Sequence, residues 1–169
     1  MRLDKKARFI KTIDEHKKII YKIVNAYCSN KEDRKDLEQE ILIQLWNSFD
    51  NYNSKYKYST WMYRIALNVA ISFYRKETKR FAKNDLYNEA SIFKIEEDAN
   101  DKETVLNYHL KILQDFIQNL NELNKALMLL YLEEKSYEEI AQVLGITKTN
   151  VATKISRIKI KLKKEFKKL

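Results

Sequence analysis

The amino-acid sequence predicts an all-α protein made of two small helical domains joined by a flexible linker. One glycine and no proline in 169 residues leave little of the turn chemistry that β-hairpins need. Abundant lysine, glutamate, leucine and isoleucine are typical of helical proteins. Apolar residues recur with a helical period in two blocks, and an acidic stretch without that period separates them. We therefore expect domains at 1–80 and 104–169 and a linker at 81–103.

The first domain is predicted to contain three helical segments. Residues 9–28 fit one helix or a helix pair, and residues 36–49 carry an apolar residue every four positions. Residues 50–57 are polar and aromatic, which indicates a loop. A long helix is expected over 59–78, with Ser59 as its N-cap and a buried stripe of Trp61, Ile65, Val69 and Phe73.

The second domain ends in a predicted helix-turn-helix. Ser136 and Glu139 have the spacing of a capping box, in which each side chain accepts a backbone N–H of the other residue. Gly145 stands where a helix would end in the left-handed conformation, and Thr147 can cap the next helix. A short helix, a glycine-containing turn and a second helix favour DNA binding, although many helical hairpins share this pattern.

Composition excludes several functional classes. Walker and dinucleotide-binding loops need several glycines, and the chain has one. Cys28 is the sole cysteine, so no internal disulfide and no cysteine-based zinc site is expected, and His16 and His109 lie too far apart for a local metal motif. No catalytic constellation is visible, so we expect no enzyme activity, no cofactor and no metal. No apolar run approaches a membrane span, and the cytoplasm is the expected compartment.

The net charge of +9 is unevenly spread along the chain. Residues 1–35, 51–80 and 146–169 carry +6, +6 and +8, whereas residues 36–50 and 81–145 carry −4 and −7. Nucleic acid is the expected partner of the basic blocks. A solvated lysine-rich surface is the alternative.

The last helix has a face suited to duplex DNA. Short polar side chains near its start can read base edges, and basic side chains further along can bind phosphates. The predicted contacts are Lys148, Thr149, Asn150, Thr153, Lys154 and Arg157. The alternative is a basic helix that faces solvent, but such faces usually mix glutamate with lysine, and here only Glu165 is acidic.

Two features of the first domain go beyond packing. The 36–49 helix carries an acidic, partly apolar face that predicts protein docking. Acids near a helix N-terminus are the alternative explanation. The 50–76 stretch interleaves aromatic and basic residues, which suits stacking of unpaired bases, although an ordinary amphipathic surface has the same composition. The docking residues are Asp36, Gln39, Glu40 and Ile43, and the base-binding residues are Tyr56, Tyr58, Trp61, Arg64, Asn68 and Arg75.

These blocks resemble a known family. Asp36-Leu-Glu-Gln-Glu40-Ile-Leu-Ile-Gln-Leu-Trp46, followed by Tyr58-Ser-Thr-Trp61-Met-Tyr-Arg64-Ile-Ala-Leu-Asn68, resembles region 2 of bacterial RNA polymerase sigma factors. Leu123 to Lys164 resembles their region 4. The chain length and the two blocks in this order resemble the extracytoplasmic-function (ECF) group of the sigma-70 family.

The resemblance implies a transcription initiation factor. Its partners would be core RNA polymerase, bound by the acidic face, promoter DNA, and an anti-sigma factor, with no membrane insertion. The 50–58 loop and Asn68 would hold a flipped −10 base, and the last helix would enter the −35 major groove. Asn121 stands where the family usually has proline, and Ala152 replaces a frequent arginine. The rivals are a stand-alone helix-turn-helix regulator, which would need no docking face, and a helical adaptor, which would leave the basic C-terminal segment unexplained.

Overall fold

This computed structural model describes residues 2–83 and 101–167, and the side chains of 4–80 and 105–167. The described residues form seven α-helices and one 3-10 turn and contain no strand, which confirms the predicted all-α class. In chain order they are α1 Arg2–Tyr27, α2 Lys31–Ser48, the 3-10 turn Phe49–Asn51, α3 Tyr58–Lys83, α4 Asp101–Gln118, α5 Glu122–Leu132, α6 Tyr137–Leu144 and α7 Lys148–Lys167.

Polar side chains start several of these helices in the absence of proline. Asn30 accepts the backbone N–H of Asp33 at α2, and Asn121 accepts that of Asn124 at α5. Both backbone positions are extended, as an N-cap requires. Asn121 therefore starts its helix by a side-chain cap.

Several predicted boundaries are wrong. α1 begins at Arg2 instead of residue 9, and α2 begins at Lys31 because Asn30 caps it. Ser59 is not an N-cap, since α3 already includes Tyr58. α3 and α4 each extend three residues into the stretch predicted as a linker, and 84–100 lies outside the described residues.

The buried face of α3 also differs from the prediction. The most deeply buried residues are Met62, Tyr63, Ala66, Leu67 and Ala70. The predicted stripe of Trp61, Ile65, Val69 and Phe73 is only half-buried beside them. The reason lies in the tertiary packing. Helix α3 contacts α1 and α2 from its own unit, which holds the helices of the first predicted domain, and also α5 and α6 from the second unit, which holds those of the second predicted domain. The second set of partners moves the centre of burial around the helix.

One hydrophobic core joins both halves of the chain. It includes Ile23, Leu37 and Leu67 from the first half and Leu127 and Ile140 from the second. Helices α5 and α6 lie against α3, and α1 contacts α4 and α5. The two predicted units thus pack directly on each other.

Candidate nucleic-acid interface

The helix-turn-helix forms as its sequence predicts. The Ser136 and Glu139 side chains complete the capping box at the start of α6. Gly145 ends α6 with φ of 67°, a left-handed conformation that glycine adopts without a Cβ penalty. The hydroxyl of Thr147 accepts the N–H of Asn150 at 3.1 Å and so starts α7. Val151, Ile155 and Ile158 are buried and fix α7 against its neighbours.

One side of α7 presents the predicted duplex-reading residues. Thr149, Asn150, Thr153 and Arg157 are exposed, and Lys154 is half-buried beside them. The Thr153 hydroxyl donates to the carbonyl of Thr149 at 3.0 Å, which leaves its oxygen available as an acceptor. These residues lie within about 140° of one another around the helix, opposite its buried stripe.

Lys148 stands apart from this group. Its ammonium lies 3.5 Å from the Glu138 carboxylate of α6, within an exposed ion pair. It lies about 100° from Thr149 around the helix, toward α6. The structure thus brings five of the six predicted residues together and directs the sixth to the first helix of the motif.

The predicted docking face lies on one flank of α2. Leu37, Ile41 and Leu45 are fully buried and anchor the helix to the core. Asp36, Gln39, Glu40 and Ile43 are all exposed, and Ile43 keeps 56% of its surface accessible. The face therefore combines two carboxylates with an uncovered aliphatic side chain.

The aromatic residues around the 50–58 loop form a connected cluster. Tyr52 and Tyr58 stack with ring centroids 4.0 Å apart, and Tyr52 meets Trp61 edge-on at 5.6 Å. The Tyr52 hydroxyl donates to the carbonyl of Tyr56 and closes the loop. Phe49 also lies nearly parallel to Tyr58, with ring centroids 6.3 Å apart. These contacts hold the loop against the start of α3.

A cavity of about 370 Å³ opens beside this cluster. Its aromatic and polar lining can stack and hydrogen-bond an unpaired base. The lining residues are Asn51, Asn53, Tyr56, Thr60, Trp61, Arg64 and Gln142. Three of the six predicted base-binding residues are among them. Sequence reasoning missed Gln142, which comes from α6, because no local pattern links it to residues 51–64.

The other predicted base-binding residues lie next to the cavity or along α3. Tyr58 stacks in the cluster, Asn68 is exposed on α3, and Arg75 lies further along the helix. The Nε of Arg75 donates to the Glu122 carboxylate of α5 at 2.8 Å. This hydrogen bond holds the pKa of Glu122 below its usual value. Arg75 is thus already engaged by the second unit.

A buried cation lies where α5 meets α1 and α3. The side chain of Lys125 is 3% exposed, and its ammonium lies 4.4 Å from the ring centroid of Tyr74 and 5.7 Å from that of Tyr27. Burial lowers the pKa of Lys125. Burial also raises the pKa of the nearby Cys28 thiol to about 12, so this thiol is not activated as a nucleophile.

None of the helices in the described part of the chain is both long enough and apolar enough to cross a bilayer.

Comparisons with known proteins identify the family of the chain. Residues 12–80 match the family model of sigma-70 region 2, and residues 110–162 match that of sigma-70 region 4. The chain is 30% identical over 161 residues to the ECF RNA polymerase sigma-E factor of Haemophilus influenzae, covering 91% of this chain and 84% of that protein. It is 27% identical to the ECF RNA polymerase sigma factor SigW of Bacillus subtilis, covering 95% and 90%.

Solved structures with the same fold include CnrH in complex with the cytosolic domain of CnrY, at a TM-score of 0.66 and 18% identity over 96% of this chain and 89% of that chain. The sigma factor RpoE of Bartonella quintana, in complex with the anti-sigma factor NepR, has the same TM-score and identity over 97% of both chains. The matches span both units of the chain, so a stand-alone helix-turn-helix regulator is not favoured. The protein belongs to the ECF group of the sigma-70 family and is a sigma factor that directs RNA polymerase to promoters to initiate transcription.

Proposed function

We propose that this sigma factor divides initiation among three of its surfaces and acts by binding, without an active site of its own. The α2 face of Asp36, Gln39, Glu40 and Ile43 docks on core RNA polymerase. The surface around the cavity lined by Trp61 and Arg64 at the start of α3, here called the α3 cavity, captures unpaired −10 bases. The exposed side of α7 reads the −35 duplex. We expect these events in the cytoplasm, with an anti-sigma factor as a further partner, since relatives of this fold are complexed with such proteins.

The observation that carries the proposal is the cavity beside the aromatic cluster. Trp61 supplies a ring face and Arg64 a cation, while Asn51 and Asn53 supply amides that can pair with base edges. Trapping a base that has left the stack offsets the few kcal/mol that flipping costs, about the size of one stacking contact. A surface that binds only the flipped base therefore favours strand opening without chemistry.

The acidic face is supported by its geometry on α2. Asp36, Glu40 and Ile43 lie on one flank of the buried stripe, whereas Glu38 lies on the other, about 160° around the helix from both Asp36 and Glu40. A partner with basic and apolar groups can contact the first flank without touching Glu38. This arrangement supplies a control within the same helix.

One initiation assay separates docking from strand opening. Reversing both Asp36→Lys and Glu40→Lys should weaken the affinity for core polymerase at least about tenfold, because two attractions become repulsions. Glu38→Lys changes the charge of the same helix and should leave the affinity within about twofold. Glu38→Lys changes the charge by +2 and the double reversal by +4, so a loss in Glu38→Lys of about half the size on a logarithmic scale would reduce the effect to net charge.

The same assay tests the −10 surface with Asn68→Ala. This variant should bind core polymerase normally but reduce permanganate reactivity of the −10 thymines on a promoter fragment. Exposed Asn68 supports no buried contact, so the fold should be unchanged, as circular dichroism would show. If Asn68→Ala opens the DNA strands as well as the wild type does, this residue is not part of the proposed surface.

A further inference from the structure

A second cavity, of about 480 Å³, is lined by residues of α1, α2, α4 and α5. Its lining residues differ from those of the cavity beside Trp61 and Arg64. Its volume falls within the range of sites that hold small organic ligands, about 300–1,000 Å³. Ala26, Ile117 and Leu129 form its apolar part, and polar side chains complete the lining. An apolar part with a few converging polar groups is the usual composition of a ligand site.

The lining of this cavity carries more positive than negative charge. Lys22, Arg34 and Lys111 contribute cations, and Asp115 contributes a carboxylate. The guanidinium of Arg34 has a fixed position, because its Nε and Nη2 donate to two backbone carbonyls just after α1, at 3.0 and 3.2 Å. The ammonium of Lys22 is already paired with the carboxylate of Glu133. Lys111 is therefore the main cation for an anionic ligand, and Arg34 adds one of fixed position.

Lys111 and Asp115 present opposite charges to the cavity that do not cancel each other. They lie one turn apart on α4, where opposite charges are close enough to interact. Among the described side chains, however, neither takes part in an ion pair. A ligand that has both an anionic group and a pair of hydrogen-bond donors can satisfy the two residues at once.

The pattern of donors and acceptors favours a guanine nucleotide. A carboxylate such as that of Asp115 only accepts hydrogen bonds, and guanine offers two donors side by side, its N1–H and its 2-amino group. Adenine and cytosine place a ring acceptor beside their amino group, and a carboxylate repels that acceptor. The half-buried amide of Gln118 can donate to the guanine carbonyl. The ring of Tyr21, a side chain that is 71% exposed, can stack on the base.

We propose that this cavity binds a guanine nucleotide. Asp115 accepts hydrogen bonds from the base, Tyr21 stacks on it, and Lys111 and Arg34 attract the phosphates. The ligand contacts helices of both predicted domains, so it stabilises the folded chain by mass action. The site is independent of the three proposed initiation surfaces, because none of its lining residues belongs to them.

Isothermal titration of the full chain with GDP, ADP and inorganic pyrophosphate tests the site. GDP and ADP carry the same phosphates and differ only in the base, whereas pyrophosphate has no base. GDP should bind about tenfold more tightly than ADP, the size expected for hydrogen bonds to a charged group. If pyrophosphate binds as tightly as GDP, the binding is only the attraction of an anion to a basic protein, and the proposal is wrong.

Asp115→Asn separates base recognition from charge. This variant removes a negative charge, which by itself strengthens the binding of every anion. It should nevertheless weaken GDP binding about tenfold, because the amide cannot accept two hydrogen bonds side by side, and ADP binding should not weaken. Asp14→Asn is the matched control, since Asp14 is an exposed carboxylate of α1 outside the cavity, and it should not weaken GDP binding. Wild-type GDP affinity in Asp115→Asn would overturn the proposal.

Two further variants test the phosphate and stacking contacts. Lys111→Gln should weaken the binding of GDP, ADP and pyrophosphate alike, by at least about threefold. Lys11→Gln removes the same charge from an exposed position on α1 outside the cavity and should change these affinities less than about twofold. Tyr21→Ala should weaken GDP and ADP at least about fivefold and leave pyrophosphate unchanged. These side chains are exposed, so circular dichroism should show wild-type helicity. Equal losses in Lys111→Gln and Lys11→Gln would mean that net charge alone attracts the nucleotide, which contradicts the proposal.

Discussion

At the scale of single residues, the exposed side of α7 combines two kinds of contact. Lys154 and Arg157 carry charges that attract any DNA backbone, whereas the Asn150 amide can form paired hydrogen bonds with one base edge. Lys148 is already balanced by Glu138, which reduces its expected share of phosphate binding. Affinity and sequence preference should thus depend on different side chains of one helix.

These two contributions can be measured separately. Arg157→Ala should weaken binding to all duplexes alike and lower the slope of log affinity against log salt by about one. Asn150→Ala should cost about 1–3 kcal/mol on the preferred −35 site and much less on other sequences. Lys148→Ala is the comparison and should lower the slope less than Arg157→Ala does. Equal salt slopes for Lys148→Ala and Arg157→Ala would show that the Glu138 pair has no influence.

Motifs made of residues close together in the sequence could be predicted, because their hydrogen bonds and backbone conformations are local. Ser136 and Glu139 need only helical spacing to form a capping box, and Gly145 needs only its position after an apolar stripe. Gln142 was not predictable as a cavity residue. It is an exposed polar residue on a short helix, and its role depends on what α6 packs against.

At the scale of elements, α5 and α6 end in similar turns made by different residues. The Ile146 N–H donates to the carbonyl of Ala141, and the Lys135 N–H donates to that of Leu130, in each case five residues back. The residue with positive φ is Gly145 at 67° in one turn and Glu134 at 57° in the other. A left-handed conformation costs a residue with a Cβ about 1–2 kcal/mol relative to its usual regions.

The two turns should therefore respond in opposite directions to substitution. Gly145→Ala should lower the free energy of unfolding by about 1 kcal/mol, although a Cβ there would meet no atom within 4 Å. Glu134→Gly should raise it by up to about 1 kcal/mol, because it relieves the same conformation. Urea unfolding followed by circular dichroism measures both. Gly145→Asn should lower the free energy of unfolding less than Gly145→Ala does. If it lowers it as much, the cost does not come from the left-handed backbone conformation.

The helix faces show where sequence periodicity fails. In α7 the buried residues Val151, Ile155 and Ile158 recur with a helical period, because that helix buries one face. The buried face of α3 was predicted wrongly, because that helix has partners on two sides. A helical period of apolar residues indicates that one face of the helix is buried. It does not indicate which other helices bury that face. The half-buried Trp61 and Ile65 belong to a surface whose second set of partners lies about 60 residues or more along the chain.

At the scale of the whole molecule, two units that match separate family regions share one hydrophobic core. The sequence predicted two domains because the acidic stretch between them lacks a helical period, yet it contained no signal for their packing. The polar contacts at the interface, such as Arg75 with Glu122, join residues far apart in the chain. Such pairs become visible only in three dimensions.

A cut between the units tests how the interface depends on the connection. For flexible connections, tethering creates an effective concentration that can reach the millimolar range, which favours closure even when the contacts are weak. A protease site inserted within 84–100 would allow this tether to be cut after folding. At micromolar concentration the two halves should still elute together from a sizing column, because the buried contacts of Lys125 and Tyr27 are retained.

Dilution of the cut protein to nanomolar concentration should then separate the halves, since mass action no longer favours the interface. Tryptophan fluorescence should follow the separation, because Trp61 lines a cavity together with Gln142 of α6, and loss of α6 changes its surroundings. The uncut insertion protein, measured at the same concentration, is the control and should keep the fluorescence of the wild type. Equal fluorescence before and after cutting at nanomolar concentration would mean that the contacts between the two units hold them together without the tether.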